Sequence, residues 1–187
     1  NPAVLEWTYS AVNASDTDSS NPYTMVFAQA DKAYLIRYGS DTAWIVDPTA
    51  TTESAFKIGE LDLSAYTPDD GQGVPNMSAG AIVGDKLFIA MQRIDSLWQP
   101  NNTAYLAVFD TATDTEIDTG QDSGDLKGIP LIGKNPSSLT YQNELGLLVQ
   151  HQGAYTPDYT GGIDVVDVDS YAAEQRVNDT AATGLIG

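Results

Sequence analysis

A short apolar segment occurs three times along this chain. ADKAYLIRY at 30–38 is repeated as GDKLFIAMQ at 84–92 and, more weakly, as NELGLLVQH at 143–151. The three copies begin 54 and 59 residues apart. A period of about 50 residues is typical of proteins built from repeated structural units. The fold must therefore accommodate three copies of one unit.

Each copy lies within a longer unit that reads as four short strands. A Pro-marked segment precedes the copy, and an apolar run ending near Asp follows it, as in AWIVDP at 43–48. Val, Ile, Tyr, Phe and Trp dominate the runs, whereas Gly, Pro, Asn, Asp and Ser dominate the gaps, a pattern typical of strands and turns. Residues 52–63 could form a turn or two of helix, but the surrounding pattern favours an outer strand and loop. We predict an all-β chain.

Repeated four-stranded antiparallel units of this size predict a β-propeller, whose blades surround a central channel. We expect blades at 21–74, 75–134 and 135–187, preceded in residues 1–20 by the outer strand of another blade, at 3–9, and a linker. Three blades and one strand cannot close a ring. Because open flanks expose apolar faces, the predicted partners are the remaining blades of a longer chain or further copies of this one. The alternative is a self-sufficient β-sandwich.

Two segments of the chain resemble the YVTN-type repeat of bacterial β-propellers. They are VFDTATDTEIDTG at 108–120 and IGKNPSSLTYQNELGLLVQ at 132–150. In that family a third strand ends at Asp-Thr-Ala-Thr, a polar strand follows, and a Gly-x-x-Pro step leads into the next blade. The resemblance extends over 21–187 as three blades, although these are longer than the usual repeat and resemble variants found in exported lipoproteins. It implies an exported protein, periplasmic or at the cell surface.

The charge of the chain excludes one class of partner. There are 26 Asp and Glu against 8 Lys and Arg, which gives a formal net charge of -18. Such an acidic surface repels phosphate backbones, so we do not expect nucleic acid as a partner. The chain has no cysteine, which excludes disulfides, thiolate catalysis and Cys-ligated zinc. No apolar run is long enough for a membrane-spanning helix, so we expect no transmembrane segment.

Polar residues occur where the three second strands end. A gap-free alignment of the copies puts Arg37, Met91 and Gln150 at one level and Tyr38, Gln92 and His151 at the next, with Arg93 just beyond. We predict a ligand site at the channel mouth from Arg37, Tyr38, Gln92, Arg93, Gln150 and His151, with Trp98 in the loop at 93–102 as a further contact. The planar donor fork of Arg suits an anionic or sugar-like ligand. The alternative is that strand ends are polar because solvent begins there.

Two functions fit this pattern. The first is a non-catalytic binding or scaffolding module, because the sequence shows no assembled catalytic group. The second is an enzyme, a lactonase-like hydrolase or a redox propeller, with its site around Arg37, Arg93 and His151. The chain lacks a Gly-x-Ser-x-Gly motif and has a single His, so the pattern supports no catalytic triad. No catalytic residue is predicted.

Calcium is the candidate cofactor. In SDTDSSN at 15–21, Asp16, Asp18 and Ser20 stand at alternate positions, as the first ligands of a calcium loop do. The segment lacks the glycine at the sixth position and the distant bidentate Glu of such loops. The alternative is that these are solvated side chains of a turn.

Overall fold

The computed structural model describes residues 7–14, 16, 19–155 and 161–179. These residues are mainly strands and turns, which confirms the all-β prediction. Helical structure in this part of the chain amounts to one turn, α1 (Glu53–Phe56), and a 3-10 turn at Ser64–Tyr66. Residues 52–63 thus contain both the short helix and the outer strand that the sequence favoured. No helix of the described residues is long and apolar enough to cross a membrane.

The strands form three antiparallel sheets that follow one another along the chain. Blade 1 contains β1 (Pro22–Gln29), β2 (Lys32–Arg37), β3 (Thr42–Val46) and β4 (Lys57–Asp62). Blade 2 contains β5 (Met77–Val83), β6 (Lys86–Met91), β7 (Tyr105–Asp110) and β8 (Thr115–Glu116), with β9 (Ile129–Pro130) also paired to β7. Blade 3 contains β10 (Pro136–Gln142), β11 (Gly146–His151), β12 (Gly162–Val166) and β13 (Ala173–Asn178).

The blades pack face to face and form an arc. β5 lies beside β1 on one side and beside β10 on the other, so the first strands meet at the centre. The described residues form no closed ring. Blade 2 is covered on both faces: in β6, Leu87 and Ile89 pack against blade 1, whereas Phe88 and Ala90 pack against blade 3. Burial on both faces explains why this strand is continuously apolar instead of alternating.

Each blade begins with an asparagine in the left-handed region of backbone conformation. The φ angles are 43° at Asn21, 57° at Asn76 and 57° at Asn135. Asn adopts this conformation more readily than most residues do. Its carbonyl then accepts a hydrogen bond of 3.0 Å from the backbone N–H that follows the second strand of the same blade, donated by Tyr38, Gln92 and Gln152 respectively.

The strand register of blade 3 differs from the gap-free alignment. β1 pairs Pro22 with Arg37, and β10 pairs Pro136 with His151. His151 therefore stands level with Arg37 and Met91, in the place that the alignment gave to Gln150. The hairpin turn of blade 3 has three residues between Gln142 and Gly146, whereas those of blades 1 and 2 have two. The extra turn residue displaces the alignment by one position.

Residues 7–14 and 16, here called the N-terminal strap, lie on the face of blade 1 that is turned away from blade 2. Tyr9 and Ala11 pack against a buried cluster that includes Trp44 and Phe56. The ring of Trp7 stacks on that of Tyr9, with centroids 4.4 Å apart. The strap contains no strand. The outer strand predicted at 3–9 falls partly on residues 3–6, which lie outside the described residues.

Candidate functional site

A cleft of about 390 Å³ opens between blades 1 and 2. It lies at the end of the sheets where the first strands begin and the second strands finish, which is the predicted channel mouth. We call it the mouth cleft. Its lining residues are Ser19, Asn21, Tyr38, Gly39, Gln72, Val74, Asn76 and Trp98. Two of the predicted site residues, Tyr38 and Trp98, are thus in its wall.

Tyr38 is fixed by a hydrogen-bond chain that crosses all three blades. Its hydroxyl donates to Oε1 of Gln92 at 2.9 Å. Nε2 of Gln92 donates in turn to the carbonyl of Pro136 at 3.2 Å. Gln92 is only 7% exposed, so it supports the cleft from behind and does not line it. The wall formed by Tyr38 is therefore held in a defined position.

The Tyr38 hydroxyl remains protonated over the whole neutral range. Burial raises its pKa from 10.0 to about 12, and the neighbouring phenols of Tyr155 and Tyr23 add to the shift. The ring of Tyr23 lies beside that of Tyr38, with centroids 5.5 Å apart. A neutral phenol can donate and accept hydrogen bonds, but it is a poor acid or base near neutral pH.

Trp98 is carried by a loop that is organised around Asp95. The carboxylate of Asp95 accepts hydrogen bonds from the backbone of Leu97 at 2.9 Å and of Gln99 at 2.8 Å, and from Nδ2 of Asn101 at 2.7 Å. The hydrogen bond from Gln99, followed by those from Asn101 and Leu97, holds the pKa of Asp95 below its ordinary value. The loop is therefore ordered, although its tip is exposed.

Trp98 has an unusual backbone conformation. Its φ is +61°, a region that bulky residues rarely occupy because Cβ approaches the following carbonyl. Its side chain is 57% exposed, so burial does not offset this strain. Strained residues of this kind cluster at ligand sites and other functional positions. Gln72, on the opposite side of the loop base, donates to the carbonyl of Asp95 at 2.7 Å and ties the loop to the cleft wall.

The mouth cleft is uncharged in a strongly acidic protein. None of its lining residues is Asp, Glu, Lys, Arg or His, whereas the chain has a net charge of -18. Its polar side chains are the amides of Asn21 and Gln72 and the hydroxyl of Ser19. Asn76 is buried, and its Oδ1 accepts from the backbone N–H of Ile94 at 3.0 Å. The cleft offers hydrogen bonds and aromatic surface, but it has no ion to pair with a ligand.

The structure buries Arg37 away from the cleft. Its Nε donates to the carbonyl of Ala11 at 3.0 Å, and the guanidinium pairs with Asp16. It also donates to Ser40 and Thr42 and lies over the ring of Trp44, 4.5 Å from the centroid. With no exposed surface, Arg37 holds the strap to blade 1.

Arg93 is also engaged with the protein. Its Nε donates to the carbonyl of Tyr66 at 2.7 Å, and Nη1 donates to the carbonyl of Thr103 at 3.0 Å. The guanidinium lies 5.1 Å from the ring centroid of Tyr105. Arg93 therefore connects the end of blade 1 to both ends of the Trp98 loop and supports the cleft indirectly.

His151 and Gln150 lie in blade 3, apart from the mouth cleft. His151 is buried, and its Nε2 is 3.0 Å from Oδ2 of Asp164 on the neighbouring strand. The backbone N–H groups of Ile132 and Gly133 donate to the same oxygen. Burial raises the pKa of Asp164, but the contacts with His151 and Gly133 outweigh it, so the pKa lies below the ordinary value. Gln150 is exposed, and its Oε1 accepts from Ser138 at 3.1 Å.

The candidate calcium ligands have other contacts where the structure describes them. Asp16 pairs with Arg37 and accepts hydrogen bonds from the backbone of Asn13 and the hydroxyl of Ser40. Ser20 is buried, and Asp18 lies outside the described residues. Within the described ranges, no group of three or more acidic, His or Cys side chains could hold a metal ion. Calcium stays a prediction, which thermal melts with EDTA and added Ca²⁺ would test.

Sequence reasoning missed the amides of the cleft and the role of Asp95. The recurrent Asn before each first strand was visible in NPYTMVFA and VPNMSAGAIV, but it indicated only a turn. Gln72 and Asp95 stand in stretches without periodicity. Their proximity depends on how the two loops cross, and local sequence carries no signal for that.

Comparisons with known proteins add little. No family model matches the chain, and no curated protein matches it. A solved structure titled Kuenenia stuttgartiensis Hydrazine Synthase is similar over 91% of this chain, with 13% sequence identity and a TM-score of 0.39. The chain spans 52% of the length of that protein. A likeness of this degree carries no functional argument.

Proposed function

We propose that this protein is a non-catalytic binding module whose mouth cleft takes a ligand between blades 1 and 2. The observation that carries the proposal is the composition of the cleft: two aromatic side chains and the amides of Asn21 and Gln72 around a cavity of about 390 Å³, with no charged residue in the wall. Pockets of roughly 300–1,000 Å³ that combine apolar surface with a few polar groups are typical ligand sites.

The lack of an acid or base in the cleft favours binding over catalysis. Tyr38 is the titratable side chain in the wall, and its pKa is raised to about 12. General acid–base catalysis needs a group whose pKa is near the working pH. Arg37, Arg93 and His151, the residues of the alternative enzymatic site, do not line the cleft. The side chains of His151 and Asp164 lie together but are fully buried, so this pair has no surface on which to meet a lactone.

The wider context of the module is part of the proposal. The resemblance to the YVTN-type repeat supports an exported bacterial protein at the cell surface or in the periplasm. The arc of blades supports assembly with further blades or further copies. Fold alone does not give function, so the mouth cleft is the feature to test.

The experiment is a thermal-shift screen with a chemically diverse library of peptides, saccharides and small metabolites. A ligand that binds only the folded state raises the melting temperature. We compare the wild type with Trp98→Ala and with Leu97→Ala. Leu97 is the matched control, because it is the adjacent residue, is 77% exposed and does not line the cleft.

We expect at least one ligand whose shift is lost in Trp98→Ala and kept in Leu97→Ala. If every ligand found raises the melting temperature of all three proteins equally, so that none depends on Trp98, the proposal is wrong. Turnover of a lactone by the wild type, whether or not Trp98→Ala changes it, would contradict the non-catalytic assignment.

A further inference from the structure

We infer that the ligand class of the mouth cleft is a neutral saccharide of one or two sugar rings. The inference rests on the proposed function and adds the chemistry of the ligand. It follows from three properties of the cleft: its lack of charge, its pairing of aromatic rings with amides, and the rigidity of its wall.

The lack of charge argues against ionic ligands. An anion such as a phosphate or carboxylate would meet no Lys or Arg in the lining, and the net charge of -18 would repel it. A simple cation would meet no carboxylate in the lining. The carboxylate of Asp95, in the loop that carries Trp98, already accepts hydrogen bonds from Leu97, Gln99 and Asn101.

The remaining groups match both sides of a sugar ring. A pyranose presents a face of C–H bonds, which packs on the face of an aromatic side chain, and an edge of hydroxyls, which both donate and accept hydrogen bonds. Trp98 and Tyr38 supply aromatic surface. The side chain of Asn21 supplies a donor and an acceptor group, and Gln72 supplies its Oε1 and the N–H that is not donated to Asp95.

The geometry also favours a saccharide over a quaternary ammonium ion. Such cations are bound over the faces of aromatic rings within about 6 Å, commonly in a cage of several rings. Among the described residues, two aromatic side chains line the wall, Tyr38 and Trp98, which is fewer than such a cage provides. The Tyr38 ring is held by the bond of its hydroxyl to Gln92 at 2.9 Å and lies beside the ring of Tyr23.

The rigid wall reduces the entropy cost of binding. The Asp95 hydrogen bonds fix the loop, and the Gln72–Asp95 bond of 2.7 Å fixes the loop to the opposite wall. Preorganisation matters for sugars because their hydroxyls exchange bonds with water for bonds with protein at little net gain. The strained backbone of Trp98 is consistent with a side chain placed for a ligand.

The test is a titration of the full chain with cellobiose, maltose and N,N′-diacetylchitobiose, followed by tryptophan fluorescence and calorimetry. Choline and an oligogalacturonide serve as cationic and anionic comparison ligands. The proteins are the wild type, Trp98→Ala, Leu97→Ala and Asn21→Ala. Circular dichroism and the melting temperature of each variant establish that it is folded.

We expect saturable binding of at least one neutral saccharide. Affinity should fall about tenfold or more in Trp98→Ala, the scale expected for the loss of an aromatic contact, and severalfold in Asn21→Ala. It should change less than twofold in Leu97→Ala. The fluorescence change on binding should also disappear in Trp98→Ala.

Three outcomes would overturn the inference: no binding of any neutral saccharide, tighter binding of choline or the oligogalacturonide, or saccharide binding that does not depend on Trp98. The library screen described above separates its failure from that of the proposed function. If the screen finds a ligand that is not a saccharide and whose binding depends on Trp98, the saccharide inference is wrong but the proposed binding function stands. If the screen finds no ligand whose binding depends on Trp98, both the saccharide inference and the proposed binding function are wrong.

Discussion

Tyr38 of blade 1 and Gln92 of blade 2 are joined by a hydrogen bond of 2.9 Å between the phenol and the side-chain amide oxygen. The bond forms behind the mouth cleft and is continued by Gln92 to the carbonyl of Pro136 in blade 3. One polar contact thus contributes both to the packing of the blades and to the position of a cleft wall.

Replacing Tyr38 by Phe should destabilise the protein by about 1–2 kcal/mol. The change leaves the buried Oε1 of Gln92 without this donor, and a buried unsatisfied acceptor costs about 1–3 kcal/mol. Urea unfolding measures the effect. Tyr23→Phe is the control, because Tyr23 is largely exposed, and its variant should change stability by less than about 0.5 kcal/mol. Equal effects in the two variants would contradict the assigned role of Tyr38.

Replacing Asp164 by Asn should cost about 3 kcal/mol or more at neutral pH. The carboxylate is buried, lies 3.0 Å from His151 and accepts from Ile132 and Gly133, and disrupting a buried hydrogen-bonded charge is strongly destabilising. Asp169→Asn is the matched control on the same blade. Asp169 is 92% exposed and lies 3.5 Å from Lys86, so its replacement should change stability by less than about 1 kcal/mol.

The effect of Asp164 should depend on pH in a defined direction. Its folded-state pKa lies below the ordinary value of 3.8, so the folded state binds the proton more weakly than the unfolded state. The stabilisation is therefore fully present above pH 3.8 and is lost as the pH falls through the folded-state pKa. The difference in the free energy of unfolding between the wild type and Asp164→Asn should therefore decrease as the pH is lowered. A stability difference that stays constant until the protein unfolds in acid would contradict the lowered pKa of Asp164.

Trp98→Gly should leave the stability unchanged or raise it by up to about 1 kcal/mol. Glycine removes the strain of a left-handed backbone, about 1–2 kcal/mol, and the exposed indole has little packing to lose. At Leu97, whose φ is not positive, the same change should lower stability by about 0.5–1 kcal/mol because glycine loses more entropy on folding. Urea unfolding measures the change in the free energy of unfolding. A gain in Trp98→Gly with a loss in Leu97→Gly would support strain at Trp98, whereas equal losses in the two variants would exclude it.

Arg37→Met should cost about 3 kcal/mol or more and release the N-terminal strap. It leaves Asp16 as an unpaired carboxylate in a mainly buried position, and the strap also loses its bond through the Ala11 carbonyl. Limited proteolysis should then cut before Ser19 faster than in the wild type. Arg176→Met is the control, since Arg176 is an exposed partner of Glu174. A strap equally protected in both variants would contradict the anchor role.

The sequence was sufficient for the three sheets because their long strands carry local signals, whereas the two-residue strand β9 was not predicted. The run KLFIAM in β6 is apolar throughout because both of its faces are covered, and the repeat of this run defined the units. The strap is different. The sequence predicts a strand that includes residues 7–9, which the structure does not show, and the place of the strap on blade 1 depends on Trp44, Phe56 and Arg37, which stand tens of residues later.

The candidate site could be predicted only in its location. The ends of the second strands do lead to the cleft, and Tyr38 and Trp98 line it. A charged side chain in a sequence does not reveal whether solvent or protein will be its partner, and Arg37 and Arg93 both pair with the protein. His151 was displaced by one turn residue, which no gap-free comparison can detect.

The strap has a consequence for the order in which the chain folds during translation. Tyr9 bonds to Ala50, and Asn13 bonds to Lys57 and Glu60, so the strap cannot dock until β4 has been made. At about 5–20 residues per second, that delay is roughly 2–10 s. Until then the nascent blade exposes Trp44 and Phe56, and a chaperone that binds this early intermediate would compete with the strap for the same face.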